Sequence, residues 1–394
     1  MTGVPNSFGF LSTYPPTQCG IATFSHALMR SIAAVETSDP VGVVRVIDSR
    51  HVPTGPVVAG YLRTDVPGTH VAAAAALNTF DIAIVQHEYG IYGGQDGDQL
   101  LTVLDLVRVP VICVAHTVLA QPTPRQAMIL QRVIAASQAV VVMTDAASER
   151  LSRLYHIDPE KISVIGHGAA TRVDTEPVAA RDNPLILTWG LLGPGKGIEW
   201  AIDGLRRLQR LQPLPTYLVA GQTHPRVRQH QGEAYRRQLQ RRAVAAGVAG
   251  MLRFEGSYLD ENALTRLIRR ADVVLLPYDS REQVTSGVLV EAIAAGKPVV
   301  ATAFPHAVEL LSGGAGLVVS QGDGAAIGEA LYRVLTEPDQ AQRMRAEATL
   351  IAPSLRWSAV ADRYRALAAD LLAGPTSRPA RAQPDAPTTA SETR

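Results

Sequence analysis

Four glycines and one lysine are packed into Trp189-Gly190-Leu191-Leu192-Gly193-Pro194-Gly195-Lys196-Gly197, just ahead of a helix-like run from Ile198. Free backbone N–H groups, a helix dipole and a point cation together make a cradle for phosphate oxygens. The GxxxxGK[ST] order of a Walker A loop is absent, and a solvated turn lysine is the plainer alternative. A second stretch, Tyr278 to Val300, runs from a strand end through a polar loop into an apolar helix. Within it Ser286-Gly287 can open a helix N-terminus towards a diphosphate. Glu291 is a carboxylate among Val, Leu, Ile and Ala, costly to bury without hydrogen-bond partners, and a half-exposed helix position is its blander reading. In Ser12 to Ala22 the segment Thr17-Gln18-Cys19-Gly20 places Gly20 where a helix begins, so a ligand can approach the backbone there; a plain strand-to-helix turn is the alternative. Finally, Gln86-His87-Glu88-Tyr89-Gly90 and Ala115-His116-Thr117 put polar groups at the ends of two apolar runs. Histidine at a strand end serves chemistry or a structural hydrogen bond, and both remain open for His87 and His116.

These residues need a scaffold of strands buried on both faces. Short Val/Ile-rich runs occur at Phe8–Leu11, Val43–Ile47, Ile82–Val85, Val111–Ala115, Ala139–Met143 and Ile162–Ile165, with amphipathic segments such as Ile21–Ala34 and Gln126–Ala136 between them. Such alternation predicts βαβ units around a parallel sheet. The pattern stops at Arg181-Asp182-Asn183-Pro184 and restarts with strand runs at Leu185–Trp189, Tyr217–Ala220, Met251–Glu255, Val273–Leu276, Pro298–Ala301 and Gly316–Val319. Helical patterns there cover Ile198–Gln212, Gly232–Ala246, Glu261–Ala271, Val288–Ala295 and Asp323–Leu335. The expected organisation is α/β, two Rossmann-like doubly wound domains facing across a cleft. The first spans 1–180 and the second 184–354; a helix at 355–373 returns to the first, and 374–394, rich in Pro, Ala, Ser and Thr, reads as a disordered tail. Ligands of such sheets bind outside the carboxyl ends of the strands, which is where all four polar stretches fall.

Composition narrows the classes. The chain has 394 residues, 46% hydrophobic and 19% charged, with a formal net charge of +1. That balance provides no global field for nucleic acid, and the arginines of 236–242 read as a solvated helix face. Two cysteines, Cys19 and Cys113, form neither a disulfide framework nor a metal-binding pattern. No leader-like segment and no long uninterrupted apolar run is evident, so the expected location is cytoplasmic, with peripheral membrane contact left open. The fingerprint GxGxxG is absent, which disfavours a dinucleotide oxidoreductase.

Taken together, the residues from Phe10 to about Leu372 resemble the retaining two-domain (GT-B fold) glycosyltransferases, a family that includes sucrose synthases and bacterial mannosyl- and glucosyltransferases. The most specific stretch is Glu282 to Val300, and the helix carrying Trp357 and Tyr364 is similar to the family's closing helix. The resemblance implies transfer of a hexosyl group, of glucose or mannose type, from a nucleoside diphosphate sugar to a hydroxyl acceptor (a sugar, lipid or small molecule), with retention. It implies no required cofactor or metal. Lys196 would neutralise the diphosphate and Gly20 would lie in the glycine loop beside it. His116 would stand by the transferred sugar, Glu291 would bind the ribose, and Ser286 and Gly287 would offer backbone donors. Gln222 would line the donor site; His87 and Glu88 would touch acceptor or sugar. His306 and Glu309, near another strand end, fit a sugar contact or a solvated helix start equally.

Two positions depart from the family pattern. Leu191 stands where an arginine usually accompanies the lysine, and Arg281 is a candidate substitute. Gln283 stands where the first of two glutamates is expected, so either Glu282, one residue away, or Gln283 itself would meet the sugar hydroxyls. An epimerase or phosphorylase-like enzyme, and an inactive nucleotide-sugar-binding relative, are the competing readings.

Overall fold

A computed structural model describes residues 7–34, 40–48, 55–170, 181–257, 259–280 and 282–374 of the protein. Arg281 and the tail beyond 374, for which the sequence gives expectations, lie outside the described residues.

The first sheet contains β1 (Phe8–Ser12), β2 (Val41–Ile47), β3 (Val58–Arg63), β4 (Ile82–His87), β5 (Val111–Ala115), β6 (Ala139–Val142) and β7 (Ile162–Val164). The second contains β8 (Leu185–Trp189), β9 (Thr216–Ala220), β10 (Leu252–Glu255), β11 (Val273–Leu276), β12 (Val299–Thr302) and β13 (Gly316–Val319). Strand order is β3-β2-β1-β4-β5-β6-β7 in one and β10-β9-β8-β11-β12-β13 in the other. Neighbouring strands pair in parallel, with Leu11 opposite Val44 and Val85, and Ile186 opposite Tyr217 and Val273. The order reverses direction at β1/β4 and at β8/β11, and the crevices that open there are the places where α/β sheets hold ligands.

Central strands β1, β4, β5, β8, β11 and β12 are buried along their whole length. This explains their unbroken apolar runs: helices cover both faces and leave no polar side. β3, which the sequence did not reveal, is an edge strand of mixed burial, and Gly60 and Arg63 interrupt its apolar pattern. The helix Thr69–Leu77 was also missed, because a run of alanines has no apolar periodicity to detect. The helix expected at Gly232–Ala246 forms as Ala234–Ala245, and a further short helix, Pro225–Gln231, precedes it.

Helix Trp357–Ala373 lies against the first sheet. Val360, Ala361, Tyr364 and Ala368 share a core with Phe8, Phe10, Phe24 and Leu28. The crossing is pinned by a parallel bridge between Ala169 and Arg356. Among the described residues no helix is long and apolar enough to cross a membrane.

Candidate active site

The second sheet builds one wall at its β8/β11 crevice. Gly197 caps helix Ile198–Leu208 at φ 62°, and a Cβ there would meet the Pro277 carbonyl oxygen at 1.8 Å. At Gly221, φ 137°, a Cβ would likewise run into the Gly190 carbonyl oxygen. Both are positions only glycine fills without strain, because three loops meet backbone to backbone. Asp279 N–H donates to the Gly195 carbonyl at 3.3 Å, tying the lysine loop to the segment after β11. Lys196 Nζ stands 4.2 Å from the centroid of the Tyr278 ring, a cation–π contact that parks the ammonium at the crevice.

Helix Gly287–Ala294 supplies the second part of this wall. Ser286 is its N-cap: Oγ accepts from Leu289 N–H at 3.3 Å, and the Ser286 N–H donates to His306 Nδ1 at 2.9 Å. One turn on, the Glu291 carboxylate accepts from Trp189 Nε1 at 3.2 Å. Burial pushes the Glu291 carboxyl up to about 7, against the opposing pull of the Trp189 hydrogen bond. A Cβ on Gly287 would come within 2.8 Å of His167 Nε2, so this helix start faces a histidine of the other half.

The first sheet supplies the opposite wall. Cys19 caps helix Gly20–Ala33, its Sγ accepting from Ala22 N–H at 3.4 Å. A side chain at Gly20 would meet nothing within 4 Å, so the backbone there is open to a ligand. His116 places Nε2 2.6 Å from Gln86 Oε1 and its ring centroid 4.9 Å from that of Phe24. Burial, then the neighbouring His167 and His87, lower its affinity for a proton to about 3, so it is neutral at physiological pH. His167 is held by its Nδ1, 2.6 Å from the Gly168 carbonyl oxygen, and packs against Phe24 and Trp357.

Several expected residues are placed differently from one another. Glu88 accepts a hydrogen bond from Thr117 Oγ1, beside His116. His87 is 2% exposed, its ring set against Tyr89, and so is covered where Glu88 is not. Glu282 reaches across to the first half, its Oε2 accepting from Ala120 N–H at 2.6 Å and from Arg150 Nη1 at 3.3 Å. Gln283 Nε2 donates to the Thr285 carbonyl within its own loop. Gln222 does not stay within its own half: Nε2 donates to Gln18 Oε1 at 3.1 Å, spanning the two halves. Glu309 accepts from Asp145 and Ala146 N–H at 3.0 and 3.3 Å, capping helix Asp145–Leu154 from the other half. His167 was missed because Gly166-His167-Gly168 resembles an ordinary turn; its one signal is that it follows a strand run. Among the described residues no cluster of His, Cys, Asp or Glu is arranged to hold a metal ion.

Two facing parallel sheets, with a lysine and helix starts converging from both walls, define a GT-B glycosyltransferase. Residues 172–350 match the family described as Glycosyl transferases group 1, and 31–173 match Glycosyltransferase Family 4. A D-inositol 3-phosphate glycosyltransferase of Jonesia denitrificans is 30% identical over 304 residues, covering 67% of this chain and 68% of the relative. A glycogen synthase of Mycobacterium tuberculosis is 29% identical over 230 residues, covering 57% of this chain and 52% of that one. Among solved structures, sucrose-phosphate synthase from Thermosynechococcus elongatus superposes with TM-score 0.72 at 17% identity, over 94% of this chain and 100% of the other. Anabaena HepE in complex with UDP does so with TM-score 0.71 at 16% identity, over 92% and 99%. The chain belongs to the group 1 glycosyl transferases, and it is a nucleotide-sugar-dependent hexosyltransferase.

Proposed function

We propose that the protein transfers a hexosyl group from a UDP-sugar to the hydroxyl of an acceptor bound on the first-domain side, with retention at the anomeric carbon and without a metal. The carrying observation is the Glu291 carboxylate, bonded to Trp189 and one turn inside the helix that starts at Gly287. That arrangement fits ribose hydroxyls on the carboxylate and phosphate oxygens on the helix start. The choice of UDP draws on the HepE complex; the reading of the diphosphate site draws on Lys196.

When the glycosidic C–O bond breaks, negative charge gathers on the leaving diphosphate. Lys196, the N–H groups at Gly287 and the helix start at Gly20 are preorganised donors for that charge, and they act more strongly on the transition state than on the bound donor. A phosphate oxygen takes the acceptor proton, so no protein base is needed. His116, neutral and tied to Gln86, serves as a hydrogen-bonding partner of the transferred sugar and not as a proton donor. With Glu282 engaged by Ala120 and Arg150, Gln283 is the better partner for sugar hydroxyls, through its carbonyl oxygen. Glu88 contacts the acceptor, and His87 supports it from below.

A thermal-shift panel of UDP, GDP and ADP tests the donor assignment. At 100 times its dissociation constant a ligand stabilises by about 2.7 kcal/mol, a rise of a few degrees for domains of this size. Stabilisation by UDP alone is expected. A response to GDP or ADP alone would replace the base, and no response to any would remove the donor-site reading.

A further inference from the structure

Arg45 interrupts the aliphatic strand β2 and is only 5% exposed. Its Nη2 donates to Thr17 Oγ1 at 3.0 Å, whereas Nε and Nη1 are buried without a hydrogen-bond partner among the described residues. Among the described residues it forms no ion pair with a carboxylate. A guanidinium keeps its charge when buried, and an uncompensated buried charge opposes folding. Its persistence asks for a use, and its position supplies one. Arg45 pairs in register with Ser12, the residue that opens the loop Thr13–Cys19, and Thr17 belongs to that loop. The loop ends at Gly20, where the backbone is open, and its Gln18 bonds across to Gln222 of the second half. On that second half, position 191 is a leucine, which leaves Lys196 as the cation of its loop.

We propose that Arg45 is a positioning residue for the donor diphosphate. Its buried charge adds to the positive end of helix Gly20–Ala33, and through the loop it supplies the potential that Leu191 does not. The inference rests on the reading that the diphosphate lies between Gly20 and Lys196. It assigns Arg45 to the phosphate furthest from the nucleoside, the one facing the first domain.

The test is titration of wild type and of Arg45→Met, Arg45→Lys and Thr17→Val with UDP and with UMP, alongside melting temperatures. Arg45→Met is expected to weaken UDP about tenfold and UMP less than about twofold, since only the distal phosphate is affected. Its melting temperature is expected to hold or rise, because a buried unpaired charge has been removed. Arg45→Lys, which keeps the charge, and Thr17→Val, which removes only the hydroxyl partner, should both bind UDP within about threefold of wild type. Equal UDP binding by Arg45→Met and wild type overturns the proposal. So does parallel loss of UDP and UMP with a lower melting temperature, or a Thr17→Val defect as large as that of Arg45→Met, since each marks a strut and not a charge. Should Arg45→Met fail to fold, Arg45→Lys and Thr17→Val decide between the same two outcomes. Wild type that binds neither nucleotide overturns the donor-site reading itself, an outcome distinct from a variant that matches a binding wild type.

Discussion

Glu291 links stability and function in opposite directions. Its carboxyl, raised to about 7, is more easily protonated in the fold than in the unfolded chain. The stability this contributes is fully present below the ordinary carboxylate range and is lost as pH rises through about 7. Glu291→Gln is therefore expected to melt above wild type at pH 8, with the difference closing towards pH 5. Donor binding should run the other way. A carboxylate accepts from two ribose hydroxyls, so UDP affinity in wild type is expected to increase between pH 6 and pH 8, and Glu291→Gln should lose that pH dependence. Calorimetric titration at several pH values reads both; a pH-independent wild-type affinity would remove Glu291 from the ribose. His116, held neutral by burial, should leave no histidine limb in the pH profile of transfer.

At the scale of elements, the contacts that join the halves come from helix termini and loop ends. Thr144 Oγ1 donates to the Val284 carbonyl at 3.0 Å, and Glu309 caps the same helix start that Thr144 begins. Glu309→Ala removes an anion from a helix N-terminus and is expected to cost about 1 kcal/mol, read as a lower midpoint in urea. An unchanged midpoint would show the cap to be dispensable. Much of the scaffold was legible: burial on both faces writes itself into runs such as Val111–Ala115. Edge strand β3 was not, because a half-exposed strand carrying Gly60 and Arg63 has no such mark. In the site, Lys196 and Glu291 stood out as charges in apolar or glycine-rich surroundings. The reach of Glu282 to Ala120, 162 residues away, follows from how the halves meet, which no local pattern encodes. Arg45 did not stand out within the run Val43–Ile47, because its lack of partners is a tertiary fact.

The whole molecule is two α/β units joined by a chain that crosses twice. The return crossing is stabilised by burial: Tyr364 is fully buried among Phe8, Phe10 and Phe24, and its hydroxyl lacks a partner among the described residues. Tyr364→Ala is expected to lose about 3–5 kcal/mol through the cavity it leaves. Tyr364→Phe, which removes only an unsatisfied hydroxyl, should match or exceed wild type. Denaturant unfolding distinguishes them, and a large loss in Tyr364→Phe would reveal a hydrogen bond to that hydroxyl. The same crossing brings Trp357 against His167 and Phe24, so the packing that joins the units also floors the cleft.

The central claim is that a lysine at the β8/β11 crevice stabilises a leaving diphosphate. The most direct measurement is acceptor-dependent release of nucleoside diphosphate from the nucleotide sugar by wild type and by Lys196→Ala, with melting temperatures recorded in parallel. The expected result is a fall in turnover of about a hundredfold or more in Lys196→Ala, with melting little changed, because the contact Nζ makes is a cation–π contact to the Tyr278 ring at the crevice. Near-normal turnover in a folded Lys196→Ala would contradict it.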